Sequence, residues 1–226
     1  MGREFQGSFQ GSGVSEEVIA DIRKLAVLIV QERSMVSIME QLRDQGVCPE
    51  TATAIDAIIP SLKDGQTFTR SFRVAAGSWG SVLVGTVVTA GEVGGTFGTL
   101  FDKLADYLDF ENALMGLENL SEAMERKRDL AHWLNLIWLV LEIGCPFRLS
   151  LERIAQLFGG ELHDATLGIK KGMDDDYPLC RMIEKYSNLF GERICRTFRD
   201  EMGDFTYNQA YKDLADDLYE EIVSQT

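Results

Sequence analysis

The stretch GEVGGTFGTLFDKLADYLD, residues 91–109, decides the fold class because it shows how two predicted helices are joined. Its second part is amphipathic, with apolar residues three or four positions apart, and this spacing predicts a helix over 97–114. The segment before it predicts another helix over 78–92. The β-branched run Val82–Val88 suits a strand as well, but no second strand is predicted to pair with it.

The glycines of this stretch are predicted to form a tight corner between two antiparallel helices. Gly91 would allow the helices to approach closely, and Gly95 would take the left-handed position that ends a helix. Thr96 would cap the helix that follows. The stretch does not predict a phosphate-binding loop, because no lysine follows at the position that such a loop requires.

Helical patterns fill the rest of the chain, whose 226 residues include only four prolines. The first helix is predicted over Ser15–Arg43, with a bend near Glu32–Ser34. The next begins at Pro49 and ends at Gly65, where glycine suits the left-handed residue after a helix. Further helices are predicted over 67–75, 119–143, 150–158, 161–170, 178–190, 192–201 and 206–224.

The two halves of the chain carry similar motifs in the same order. Residues 61–72 (SLKDGQTFTRSF) parallel 168–179 (GIKKGMDDDYPL), and 91–109 parallel 199–220. Gly65 precedes Gly95 by 30 residues, and Gly172 precedes Gly203 by 31. We therefore predict an all-α protein of two tandem homologous helical bundles, each of about six helices. The bundles are placed at 15–115 and 119–226, after a flexible lead at 1–14.

These motifs resemble the type II secretion F domain, which occurs in the inner-membrane platform proteins of type II secretion and type IV pilus machines. The glycine–glutamate motif of this domain is resembled by residues 91–97 (GEVGGTF), and the tail of that motif by residues 104–107 (LADY). The middle motif of the domain is resembled by residues 62–68 (LKDGQTF). In the second half, 139–154 resemble the opening motif, with Gly144 and Pro146 in register. Asp200 stands in the place of the glutamate, and Gly203 in that of the second glycine.

The resemblance also implies membrane spans, and this chain departs from the family there. Platform proteins carry a transmembrane hairpin between their two domains and another span after the second. Residues 112–128 (NALMGLENLSEAMERKR) and the ending DLYEEIVSQT are too polar to cross a bilayer. The most apolar stretch, 130–144, is interrupted by polar residues and is predicted to be a buried core helix. We therefore expect a cytoplasmic protein that does not insert into a membrane.

The resemblance implies a partner, the hexameric assembly ATPase that the cytoplasmic domains of platform proteins face. A chain that keeps those domains without the anchor would compete with the membrane platform for this ATPase, and so inhibit or regulate it. The alternative is the soluble cytoplasmic portion of a genuine platform protein, which couples the ATPase to pilus or pseudopilus assembly. The sequence leaves self-association open.

The charge of the chain points to a basic protein partner. A net charge of −14 opposes binding to nucleic acid or to an anionic membrane surface. Glu92 and Asp200 are also expected to accept N–H groups at the start of the following helix. The residues predicted to bind the partner are Glu92, Asp102, Asp106, Asp200 and Asp204. Other carboxylates expected on the acidic surface are Asp109, Glu111, Asp213, Asp216, Asp217 and Glu220.

No enzyme, cofactor or metal centre is predicted. Residues 173–178 (MDDDYP) with Glu201 and Asp204 could form a site for a hard metal ion, but a solvated acidic loop that caps the helix after Pro178 is the preferred interpretation. His132 is predicted to be a packed or rim histidine, and the tryptophans and methionines to be core residues. The four cysteines lack metal-site spacing and are expected to be reduced thiols.

Overall fold

The computed structural model describes residues 12–30, 34–75, 77–80, 85, 97–200 and 208–226. Most of these residues are helical and no β-strand lies among them, which confirms the predicted fold class. They cluster into two compact units that divide between Ala113 and Leu114. The run Val82–Val88 and the predicted corner with Gly91, Gly95 and Thr96 fall outside the described residues, apart from Gly85, which is helical.

The first unit begins with a pair of helices where the sequence predicted one. Ser34 has an extended backbone (φ −62°, ψ 145°), and its hydroxyl accepts a hydrogen bond from the N–H of Ser37. A new helix therefore starts after Ser34, at the end of the stretch Glu32–Ser34 where a bend was predicted. The prediction of one continuous helix over Ser15–Arg43 is wrong. The helices of this unit, as far as it is described, are α1 (Glu16–Ile29), α2 (Met35–Asp44), α3 (Pro49–Lys63), α4 (Phe68–Phe72) and α5 (Phe97–Met115), with a 3-10 turn at Gly77–Gly80.

An aromatic cluster forms the core between α4 and α5. Phe68 lies edge-on to Phe72 and to Phe97, with ring centroids 4.5 Å and 5.2 Å apart. Trp79 packs on Phe72, and its indole N–H donates to the Thr51 hydroxyl of α3 at 3.0 Å. The buried indole therefore has its hydrogen-bond partner, and α3 is tied to the residues that follow α4.

The second unit starts with a helix of 21 residues, whose cap lies two residues after residue 119, where the helix was predicted to start. The Ser121 hydroxyl accepts a hydrogen bond from the N–H of Met124, whereas Asn119 is left-handed (φ 56°) and lies outside the helix. Gly144 (φ 68°) follows the end of this helix, as the sequence predicted. The described helices here are α6 (Glu122–Glu142), α7 (Phe147–Ala155), α8 (Gly160–Asp174), α9 (Leu179–Glu184), α10 (Ser187–Asp200) and α11 (Asn208–Val223).

Two breaks divide the helices predicted over 178–190 and 192–201. Gly191 (φ 74°, ψ 164°) kinks α10, so that the boundary predicted between Phe190 and Glu192 is confirmed. The helix predicted over 178–190 is wrong as one element, because a turn follows Glu184. Positive φ at Gly191 is tolerated because glycine has no Cβ.

Helix α6 is the centre of the second core, since every residue from Arg128 to Val140 is buried. The Trp133 ring lies 4.9 Å from that of Phe190 and 5.9 Å from that of Phe198. Its indole N–H donates to the Thr166 hydroxyl of α8 at 3.0 Å. The predicted core helix is thus confirmed, and α11 packs along it. Across the described ranges, no helix combines the length and the apolar composition that a bilayer crossing requires.

The helices of the two units follow one another in the same register. Helix α3 begins at Pro49 and α8 at Gly160, which are 111 positions apart (160 − 49), and both contain 15 residues. Helices α4 and α9 begin at Phe68 and Leu179, again 111 positions apart (179 − 68). The predicted parallel between Gly65 and Gly172 is therefore wrong by four positions.

The left-handed residue shows where the correct counterpart of Gly65 lies. Gly65 follows α3 with φ 77°, and Asp176 follows α8 with φ 61°. Gly172 lies inside α8 in helical conformation. The sequence pattern pairs Gly65 with another glycine, Gly172. Aspartate also tolerates the left-handed region, so the left-handed residue after the helix is kept in the second unit by Asp176.

Candidate interaction surface

Helix α5 carries a row of carboxylates that we call the first acidic face: Asp102, Asp106 and Asp109. Their spacing of four and three residues places them on one side of the helix. Their side chains are 59%, 40% and 52% exposed, so the charges remain in contact with solvent. The structure therefore brings together two of the predicted partner-binding residues, Asp102 and Asp106.

Arg23 of α1 binds this face. Its Nη1 lies 2.9 Å from Asp106 Oδ1 and 3.7 Å from Asp102 Oδ1, and its Nη2 lies 2.5 Å from Asp109 Oδ2. The hydrogen bond with Asp109 is the main reason why the pKa of Arg23 is raised. One cation thus faces three carboxylates, and the face keeps a negative charge.

The glycine of the opening stretch that follows Phe97 helps to place α5 on α1. A Cβ built on Gly98 would lie 2.9 Å from Val30 Cγ2 and 3.7 Å from the carbonyl oxygen of Ala26. Such a distance to Val30 is too short for a real side chain, so glycine allows the close approach of these helices. This approach in turn positions Arg23 to reach the first acidic face.

Helix α11 carries the second acidic face, Asp213, Asp217 and Glu220, in the same register as the first. Each of its residues follows its counterpart on α5 by 111 positions (213 − 102, 217 − 106, 220 − 109). Asp213 accepts a hydrogen bond from Gln209 at 2.8 Å, and Asp217 pairs with Arg193 of α10. The cation that binds the second acidic face thus comes from α10, whereas Arg23, which binds the first acidic face, comes from α1.

The second acidic face continues into Glu221, which is bound by two cations. Lys127 Nζ of α6 lies 2.7 Å from Glu221 Oε2, and Arg193 Nη1 lies 2.9 Å from Oε1. The hydrogen bond with Lys127 is the main cause of the lowered pKa of Glu221. Asp216, also predicted on this surface, pairs with Lys212 one helical turn away.

The other predicted residues are not brought into these faces. Asp200 ends α10 and is exposed. Glu92 and Asp204 lie outside the described residues, as do Glu201 and Gly203, so the hypotheses of capping and of a metal site at these positions remain predictions. In the described ranges, no three His, Cys, Asp or Glu side chains are grouped to hold a metal ion.

The acidic loop before Pro178 has a different role from the predicted cap. Asp174 accepts from Arg148 Nε at 2.6 Å and from Lys170 Nζ at 2.8 Å. No side chain caps the start of α9, so the predicted capping role is wrong. Asp174, the last residue of α8, instead connects this helix to α7 through its ion pair with Arg148.

Glu111 was predicted on the acidic surface, but this prediction is wrong. It is 1% exposed and lies on the buried side of α5. It accepts a hydrogen bond from the backbone N–H of Ser12 and interacts with the buried Tyr107 hydroxyl. Burial raises the pKa of Glu111, while these hydrogen bonds act in the opposite direction. Its spacing of five residues from Asp106 already separates it from the exposed face.

Sequence reasoning also missed Arg23 and Asp21. Asp21 is 2% exposed, and its carboxylate accepts from the N–H of Cys48 at 2.9 Å and from Lys24 Nζ at 2.8 Å. Burial raises the pKa of Asp21, but the hydrogen bonds from Lys24, Cys48 and Thr51 outweigh this and lower it. The available signal was an acidic residue between Ile19 and Ile22 on the apolar side of a helix, which demands a partner.

His132 lies in the core of the second unit and away from both acidic faces. It is fully buried, and its ring lies 6.5 Å from that of Phe158. Burial, with a smaller contribution from Arg128, lowers the pKa of His132 to about 3. The histidine is therefore neutral at ordinary pH, and the prediction of a packed histidine is confirmed.

This burial predicts a pH-dependent stability. Between pH 6.5 and about 3, the unfolded chain binds a proton at His132 that the folded chain does not, so stability falls as the pH decreases. We expect a loss of about 1.3 kcal/mol between about pH 7 and about pH 5.5 from this residue. Urea unfolding of the His132→Gln variant should show a pH dependence weaker by that amount. Equal pH dependence in both proteins would contradict this assignment.

The Arg23 contacts predict a modest loss of stability with a distinctive response to salt. Arg23→Gln should lower the free energy of unfolding by about 1 kcal/mol or less, because these groups are well exposed. Salt should then stabilise the variant, since it screens the repulsion among the three carboxylates that remain. Urea unfolding at low and high NaCl measures this, with Arg43→Gln, which breaks a single pair with Asp56, as the control. The same salt response in both variants would show that the three carboxylates do not act together.

These elements define an all-α protein of two helical units, each ending in a helix with an acidic face. Residues 21–116 match the family described as "Type II secretion system (T2SS), protein F". Its members are platform proteins of secretion and pilus machinery and are not enzymes. They work with other proteins of that machinery. No curated protein matches the chain.

Proposed function

We propose that this chain binds the hexameric assembly ATPase of a type II secretion or type IV pilus machine, and that it regulates the ATPase by competing with the membrane platform protein. The observation that carries the proposal is the family match over 21–116, because the matched segment contains the whole first acidic face. The resemblance to platform proteins supplies the identity of the partner.

Charge supports the acidic faces as the contact. Arg23 offsets one of the three negative charges of the first acidic face, so a basic surface on the partner gains from binding there. The second acidic face repeats Asp102 and Asp106 as Asp213 and Asp217. Two equivalent faces suit an ATPase ring, because a ring presents the same basic surface on each subunit.

We also propose that the second unit is a second copy of the same domain. The family match ends at residue 116, but α3 and α4 recur as α8 and α9 at a constant separation of 111 positions (160 − 49 and 179 − 68). Helix α11 begins at Asn208 and α5 at Phe97, again 111 positions apart (208 − 97). A constant separation across three helices is the pattern that duplication of a domain leaves.

A pull-down with the purified ATPase and paired charge variants tests the proposal. Asp102→Asn with Asp213→Asn removes one exposed carboxylate from each face and leaves the close contacts of Arg23 intact. We expect retention on the ATPase to fall about tenfold, since rim charges govern such encounters. Overexpression of the native chain should reduce piliation or secretion, and the double variant should reduce it less.

The matched control is Glu118→Gln with Glu152→Gln, which changes the net charge equally at exposed residues outside both faces. This control should bind the ATPase like the native chain. No retention of the native chain, together with unchanged piliation and secretion on overexpression, would overturn the proposed function. Equal losses in the control and in the face variant would show that binding depends on net charge alone and not on the faces.

A further inference from the structure

The second unit contains a pocket that is separate from both acidic faces. It has a volume of about 460 Å³ and lies between the end of α8 and the residues of α9 and its following turn. Pockets of this size typically hold small molecules. The inference drawn from it does not depend on the proposed function.

Two glycines of α8 create the floor of this pocket. A Cβ built on Gly168 would lie 1.8 Å from the Tyr186 hydroxyl oxygen, and one built on Gly172 would lie 2.2 Å from Met182 Sδ. Glycine at both positions lets Tyr186 and Met182 lie directly against the α8 backbone. The result is a concave surface made of an aromatic ring, a thioether and the helix itself.

The rim of the pocket is cationic, although the whole chain is strongly acidic. Lys171, Arg181 and Lys185 line it together with one carboxylate, Asp175. Within the described residues, neither lysine forms a salt bridge, and Arg181 has only a 3.3 Å contact with Glu184. The charge that the rim presents is therefore available to an anionic ligand.

Two neighbouring acidic side chains bind other cations more closely than they bind those of the rim. Asp174 is held by Arg148 and Lys170, at 2.6 Å and 2.8 Å. Glu184 lies 2.7 Å from Arg199 Nη2, which is closer than its contact with Arg181. The hydrogen bond with Arg199 is also the first cause of the lowered pKa of Glu184.

The first unit lacks most of these features at the corresponding positions, 111 residues earlier. Lys171 and Lys185 correspond to Pro60 and Val74 (171 − 111, 185 − 111). The two tyrosines that line the pocket, Tyr177 and Tyr186, correspond to Gln66 and Ala75 (177 − 111, 186 − 111). Arg181 corresponds to Arg70 (181 − 111), so the repeat keeps one of the three cations. The two lysines and the two rings are not required by the fold of the repeat, and they appear together in the second unit.

We infer that this pocket binds a nucleotide. Lysine and arginine at the rim supply the charge-assisted hydrogen bonds that a diphosphate accepts. Tyr177, which is 61% exposed, and Tyr186 offer rings on which a base can stack. An acidic peptide would use the same cations, but it would leave the two tyrosine rings of the pocket unexplained.

Calorimetric titration of the full chain with ADP tests this inference, with pyrophosphate and adenosine as partial ligands. We expect a dissociation constant below about 0.5 mM for ADP and weaker binding for each part alone. In NMR spectra, ADP should shift the methyl signal of Met182, which lies on the pocket floor. This shift would place the ligand in the pocket.

Variants separate the two kinds of contact. Lys171→Gln with Lys185→Gln should weaken ADP binding about tenfold or more, as expected when charge-assisted bonds are lost. Arg73→Gln with Arg196→Gln removes two exposed cations elsewhere and should leave binding unchanged. Tyr177→Ala should weaken the binding of ADP but not that of pyrophosphate, because only ADP carries a base.

Three results would overturn the inference. The first is no heat and no Met182 shift at about 5 mM ADP, a concentration at which even a weak site fills. The second is equal ADP affinity in the lysine variant and its control. The third is tight binding of a glutamate-rich peptide to the same residues without any binding of ADP, which would assign the pocket to an acidic peptide.

Discussion

Replacement of Trp133 with alanine is expected to lower the free energy of unfolding of the second unit by about 3–5 kcal/mol. Trp133 is fully buried at the centre of this unit, between the rings of Phe190 and Phe198. Alanine would leave a large cavity and would remove the hydrogen bond to the Thr166 hydroxyl. Three elements, α6, α8 and α10, would lose their common contact.

The control for this prediction is Trp133→Phe, which keeps a ring in place and removes the indole N–H. We expect it to cost about 1–2 kcal/mol, because Thr166 loses its donor and the ring is smaller. Urea unfolding measures both variants, and hydrogen exchange assigns the loss to residues 114–226. A cost below about 1 kcal/mol for the alanine variant would show that this core can close around the missing ring.

Replacement of Asp21 with alanine is the second large effect, with an expected loss of about 2–4 kcal/mol. The carboxylate is buried and binds the N–H of Cys48, the residue that precedes α3. It also binds Lys24 and interacts with Thr51, which in turn holds Trp79. Its removal takes the acceptor from the Cys48 N–H, whereas Lys24 keeps its hydrogen bond to the Gly46 carbonyl oxygen at 3.0 Å.

Lowering the pH should reveal the contribution of the Asp21 carboxylate to stability without any mutation. The folded pKa of Asp21 is lowered, so its contribution is fully present above its ordinary pKa of 3.8 and is lost as the pH falls through the folded value. Asp44→Ala, an exposed change of the same type on α2, should cost no more than about 0.5 kcal/mol. Similar losses in the two variants would contradict the role assigned to Asp21.

Helix positions were predictable from the sequence, but several ends were not. Apolar spacing located α3, α6 and α11, because the residues that each helix buries recur every three or four positions along the sequence. The caps were harder, since Asn119 and Ser121 are both good caps and lie two residues apart. Only the backbone geometry distinguishes them, and it selects Ser121.

The acidic residues were predictable by type, but their partners were not. Asp102 and Asp106 share a helix face by spacing alone, whereas Arg23 lies 83 positions before Asp106. Such a contact depends on how α1 and α5 pack, which local patterns do not encode. The nucleotide pocket escaped prediction for the same reason. Its rim combines Lys171 of α8 with Arg181 of α9 and with Lys185 of the turn that follows α9.

The most direct test of the proposed function is the affinity of the native chain for the purified assembly ATPase, measured by fluorescence anisotropy across a range of NaCl concentrations. We predict specific binding that weakens steadily between about 50 mM and about 300 mM NaCl, as contacts through the exposed acidic faces require. A soluble fragment of the membrane platform should displace the bound chain. Absence of binding at low salt, or binding that the platform fragment does not displace, would contradict the proposed competition.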